Sequence, residues 1–145
     1  MREIEARIDI DASPERVWRV LTDFDRFPVW SPSIRRISGP LRQGAQIEFE
    51  GTLEGGRSMR FQPTLLTVSP NRELRWLGRL WRPGLFDGEH RFLIEPLDEN
   101  RSRLIQSEQF RGLLVPILFA MIGKSTLRSF EPTNTALKAR AESGA

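Results

Sequence analysis

Cysteine is absent from the 145 residues, which excludes disulfides and thiolate metal sites. Tyrosine is absent too, so no phenol can serve as an acid. Histidine occurs once, as His90, and a metal site would have to rest on carboxylates, of which the sequence shows no cluster. There is no Gly-rich phosphate loop, no G-x-S-x-G elbow and no H-E-x-x-H. No metal or cofactor is therefore expected. Lysine is scarce: of the 22 Lys and Arg residues only Lys124 and Lys138 are Lys. The net charge is +3, and the arginines are scattered among acids, as Arg2, Arg7 and Arg16 are beside Glu3, Glu5 and Asp9. Nucleic-acid binders gather such charge on one face or in a run, so no nucleic-acid partner is expected. Long apolar runs are missing as well. The longest, residues 113–122 (LLVPILFAMI), is about half of the roughly 20 residues that a spanning helix needs. With no signal-peptide core in Met1–Asp11 and no cysteine, a cytoplasmic protein is expected.

What is present is an alternation of short strands closed by one long helix. A chain of this length is expected to form a single domain, residues 1–145. Ile4, Ala6, Ile8 and Ile10 alternate with charged residues, the signature of a strand with one wet face. Ser13-Pro14 then opens a helix whose buried stripe is Val17, Val20, Leu21 and Phe24. Asp23–Pro32 should form a second short helix or a corner, with Phe27 and Trp30 turned inward. From Ile34 the period-two pattern returns, broken by turn signals at Gly39-Pro40, Glu54-Gly55-Gly56-Arg57, Ser69-Pro70-Asn71, Arg82-Pro83-Gly84 and Asp98-Glu99-Asn100. Ile47, Phe49 and Leu53 mark one strand face. Arg60–Val68 reads as one strand carrying Pro63 at an edge or bulge. The class is α+β: a seven-stranded curved antiparallel sheet wrapped around a C-terminal helix, with two short helices between strands 1 and 2.

That helix should run from Gly112 to about Glu142, because Phe119, Ile122, Thr126, Phe130, Thr133, Leu137 and Ala141 recur on one face. Its first part, apolar almost all round, should be covered on several sides or line a portal. Pro132 within it predicts a kink or a hinge.

The hairpin Phe86–Gly112 carries the polar candidates. A three-residue loop at Asp98–Asn100 pairs Leu97 with Arg101, which sets His90 opposite Glu108 and Phe92 opposite Gln106. Opposed Cβ atoms lie about 4.5–5.5 Å apart, within reach of an imidazole–carboxylate hydrogen bond. His90 and Glu108 are the candidates for acid–base catalysis. The bland alternative is a self-satisfied pair that pins the register. Trp76 shares a face with Leu74 and Gly78, and Gly78 leaves either a bulge or room for a ligand.

The order of motifs resembles a known superfamily. Ile8–Pro32 (IDIDASPERVWRVLTDFDRFPVWSP), Ser69–Trp76 (SPNRELRW), Phe86–Pro96 (FDGEHRFLIEP) and Ser107–Leu114 (SEQFRGLL) carry the likeness. It is to the START-related, pollen-allergen and polyketide cyclase/dehydrase proteins (SRPBCC), which have the helix-grip fold. The resemblance implies an apolar cavity between sheet and C-terminal helix for lipids, polyketides, sterols or quinones. The reading adopted is a binding or carrier protein for a small hydrophobic molecule, lined by Trp30, Trp76, His90, Phe92, Gln106, Glu108, Phe110, Leu118 and Ile122. One rival is a cyclase or dehydratase using His90 and Glu108. The other is a membrane-docking or assembly helper acting through residues 113–122, with Leu114 and Phe119 in contact. A homodimer is also compatible with the sequence.

Overall fold

The computed structural model describes residues 1–52 and 56–144. Its elements are β1 (Arg2–Ile10), α1 (Pro14–Thr22), a 3₁₀ turn (Phe24–Arg26), α2 (Phe27–Trp30), β2 (Ile34–Ser38), β3 (Glu48–Thr52) and β4 (Ser58–Phe61). There follow β5 (Thr64–Ser69), β6 (Glu73–Leu80), β7 (Phe86–Asp98), β8 (Arg101–Arg111) and α3 (Val115–Glu142). The class is α+β, a curved antiparallel sheet with a long C-terminal helix. Ser13 caps α1 by accepting from Arg16 N–H, and Pro14 occupies its first turn, as the sequence predicts. Phe27 is buried against Phe24 and Trp30.

The strands among the described residues number eight, not seven, and they form two sheets: β1-β8-β7-β6-β5 and β2-β3-β4. The extra strand comes from Pro63. Having no N–H, it cannot donate to a ladder, and the expected strand Arg60–Val68 breaks into β4 and β5 around it. Its carbonyl still accepts from Ile47 N–H at 2.9 Å, and a Gln46–Thr64 bridge ties the two sheets. Leu53 and the turn expected from Glu54 to Gly55 lie outside the described residues.

The hairpin β7–β8 keeps the expected register but not the expected loop. Asp98 pairs with Arg101 across a two-residue turn, and Leu97 is extruded as a bulge. One bulge plus a two-residue turn has the parity of a three-residue loop, so His90 still faces Glu108 and Phe92 still faces Gln106.

The helix begins three residues later than the periodicity suggests. Gly112–Leu114 is occupied elsewhere: Leu113 N–H donates to Gly84 O and Leu114 N–H to Leu85 O. Gly112 makes this possible at φ +134°, where a Cβ would meet Leu85 O at 2.3 Å. Helix α3 then continues through Pro132 to Glu142. Its rear half is docked onto the main core by Leu137 and Ala141, and Phe130 and Thr133 are buried on the same face. Asp11 N–H donates to Glu142 Oε2 at 2.8 Å, and Lys138 donates to Asp9 O at 2.9 Å. The bonds from Lys138 and from the Asp11 N–H hold the Glu142 carboxyl below its usual range. The front half is covered on one side only. Leu113, Ile117 and Met121 are exposed, so residues 113–122 lack the cover on several sides that was one of the two expectations for them.

Gly112→Ala should destabilise the fold by about 1–3 kcal/mol from backbone strain alone, and more from the clash. Denaturant unfolding measures it; a loss below about 0.5 kcal/mol would mean that the Gly84–Leu114 junction yields at little cost.

Candidate functional site

Direct pairing across the five strands sets out the inner face of the larger sheet in rows. One row runs Leu65, Trp76, His90, Glu108, Ile4, and the next runs Leu74, Phe92, Gln106, Ala6. Beside the first row Gly78 pairs with Gly88, and neither carries a side chain into the space above it. The register is unbroken at Gly78, so this glycine is no bulge. A Cβ there would meet the Phe61 ring at 3.3 Å, and one at Gly88 would meet Glu108 Cδ at 3.4 Å.

Above these rows lies a cavity of about 690 Å³. The large sheet forms its floor, the small sheet covers it with Phe49, Met59 and Phe61, and α3 closes it with Ile122, Phe130 and Thr133. Trp76, His90, Phe92, Gln106, Glu108, Phe110 and Ile122 all line it. Trp30 and Leu118 do not. Trp30 is occupied against Phe27 at 4.7 Å between ring centroids, and Leu118 packs with the Phe86–Phe110–Val115 cluster beneath the helix.

The polar residues form one chain. Gln106 Nε2 donates to Asn134 Oδ1 at 2.7 Å. The same amide places Oε1 3.0 Å from His90 Nε2. His90 Nδ1 lies 3.1 Å from Glu108 Oε1, within hydrogen-bond distance. In an apolar wall such a chain is favoured only when each member finds its partner. Trp76 stacks on the imidazole at 5.1 Å and 14°, and Phe130 meets it edge-on at 5.3 Å. The side chains of His90 and Glu108 are only 12% and 16% exposed. Oε2 of Glu108 makes no hydrogen bond among the described residues, which leaves it available to a molecule in the cavity.

Asn134 escaped the sequence reading. It lies four residues after Phe130 and seven before Ala141, hence on the buried face, and a polar residue there was the available signal. Phe49, Phe61 and Phe130 were also not singled out as lining residues. Among the described residues no group of three or more His, Cys, Asp or Glu could hold a metal ion.

The sequence matches, over residues 1–142, the family described as polyketide cyclase / dehydrase and lipid transport. The chain belongs to this family. Its fold is that of START-superfamily proteins. A START superfamily protein from Mycobacterium smegmatis superposes with a TM-score of 0.79 at 22% identity, covering 99% of both chains. The Zhui aromatase/cyclase from Streptomyces sp. R1128 gives 0.80 at 17% identity, over 97% of this chain and 93% of that one. The di-domain aromatase/cyclase BexL gives 0.80 at 19% identity, and there the match covers 98% of this chain and 47% of the other. At these identities the likeness concerns the fold alone. No curated protein matches the sequence significantly.

Within this family fold, Gln106→Leu should leave both Asn134 and His90 Nε2 without partners while keeping the core volume. The expected cost is about 1–3 kcal/mol in unfolding free energy. The His90 ring-nitrogen signals in NMR should also shift; unchanged signals would mean that Gln106 does not contact the ring.

Proposed function

We propose that the protein binds a small, largely apolar molecule of lipid, polyketide, sterol or quinone type, whose oxygen function meets Glu108. The observation that carries this reading is the pairing of an aromatic-walled cavity of about 690 Å³ with a single buried polar chain that ends in a free carboxyl oxygen. The volume lies within the roughly 300–1,000 Å³ of small-molecule sites, which combine many apolar walls with a few placed polar groups. A phenol or alcohol would donate to the carboxylate, and a carbonyl would accept from the carboxylic acid. Phe92, Phe110 and Phe130 would cover the hydrocarbon.

Paired titrations with 1-naphthol and naphthalene, followed by tryptophan quenching, test this. Naphthol should bind the wild type about ten- to hundredfold more tightly than naphthalene, the ratio expected for a hydrogen bond to a charged group. Glu108→Leu should erase that preference, and Thr126→Phe, which fills the cavity from α3, should weaken both. Equal affinities in the wild type would remove Glu108 as the anchor.

A cyclase or dehydratase reading has one observation in its favour: Glu108 is oriented through Oε1 while Oε2 faces the cavity, an arrangement that suits a general base. The aromatase/cyclase relatives support it at the level of fold. Native mass spectrometry of freshly purified protein should recover a bound molecule for assay. On this reading Glu108→Gln abolishes its conversion yet retains its binding; unchanged turnover would exclude the role.

A further inference from the structure

The two most exposed apolar regions of the chain border the same cavity mouth. On one side is the tip of the β6–β7 hairpin, where Leu80 and Trp81 line the cavity and Trp81 is 63% exposed at φ +65°. Bulky residues rarely adopt that backbone region, and here it leaves an indole in water. On the other side is the front of α3. Leu113, Ile117 and Met121 are 79%, 74% and 67% exposed, and Ile122, Ser125 and Arg128 of the same helix line the cavity. The hydrogen bonds from Leu113 to Gly84 and from Leu114 to Leu85 join the hairpin to the start of this segment.

Bases flank the patch: Arg82 on the hairpin tip and Lys124 and Arg128 on the helix, while Arg75 and Arg79 are paired with Glu73, Glu89 and Asp87. Ile117 and Met121 lie on a helical stripe that continues into Lys124 and Arg128 at steps of three and four. Apolar side chains followed by bases, with a tryptophan at the rim, match a surface that is greasy inside and anionic outside. No helix among the described residues is long and apolar enough to cross a bilayer, so the contact would be peripheral.

We infer that Trp81, Leu113, Ile117 and Met121 form a docking surface for an anionic lipid membrane and that the cavity mouth opens toward the bilayer. A second copy of the chain fits less well, because a two-fold contact through this patch would bring Lys124, Arg128 and Arg82 against their own counterparts. The residues in contact differ from those expected on periodicity. Leu114 and Phe119 pack inward with Phe110 and Val115, and Arg2 covers the Phe119 ring at 5.6 Å. Docking of the empty protein does not depend on the ligand reading, so the two can fail separately.

Flotation with phosphatidylcholine vesicles, with and without phosphatidylglycerol, provides the test. The wild-type protein should float with the anionic vesicles and much less with the neutral ones. The exposed double variant Ile117→Asp/Met121→Asp should lose about tenfold or more in affinity, and Lys124→Glu a smaller factor. Circular dichroism and melting temperature confirm that the variants fold. Failure of the wild type to float, equal binding to both vesicle types, or binding unaffected by the double variant would overturn the inference. So would light scattering that shows a wild-type dimer which Ile117→Asp/Met121→Asp dissociates, since the patch would then be occupied by a second copy.

Discussion

Gln106 reaches from β8 to Asn134 on α3 at 2.7 Å, and the interior polar groups are satisfied only if that bond forms. Without it Asn134 would be a buried amide lacking the partner that Gln106 supplies, and Gln106 could turn away from His90. Each link depends on the next: Asn134 holds the Gln106 amide, Gln106 meets His90 Nε2, and His90 Nδ1 meets Oε1 of Glu108. A half-made polar chain in an apolar interior costs more than none at all. Helix rotation and strand register are therefore bound together. Turning α3 away would bury Asn134 unpaired, and slipping β8 by one residue would send Gln106 and Glu108 to the outer face.

The cavity arises from side chains the sheet does not have. Gly78 and Gly88 face each other across β6 and β7, so the floor is low at that point. The break at Pro63 separates the small sheet from the large one, and Phe49 and Phe61 roof the gap against each other at 4.6 Å. The walls are therefore aromatic and the polar chain is confined to one end. Space, shape and polarity trace to a pair of glycines, one proline and one row of opposed residues.

Much of this could be read in the sequence because strands of period two carry their own register. The parity of the β7–β8 connection decides which face His90 and Glu108 share, and that parity survived a different turn. The hairpin register and the polar pair followed from such local rules, and the family from the resemblance of its motifs. What escaped depends on distant partners. Asn134 gains its role only from a residue 28 positions earlier in the chain. The start of α3 is delayed by carbonyls on the β6–β7 loop, which local periodicity does not see. Trp30 and Leu118 are apolar residues that any interior would accept, and only the packed structure assigns them to walls away from the cavity.

Pro132 divides α3 in a way that bears on how the cavity fills. It supplies no amide proton to the turn before it, so one rung of the helical ladder is missing where the two halves meet. Behind it, Leu137 and Ala141 belong to the main core, and the bonds of Lys138 and Glu142 add to their hold. Ahead of it, the helix rests on a small cluster of Phe86, Phe110 and Val115. In the language of amide exchange, a front half with fewer buried anchors is expected to open at lower cost than the whole fold. Access to the interior then needs no dedicated lid: a few turns of helix can lift while the rest of the molecule stays folded.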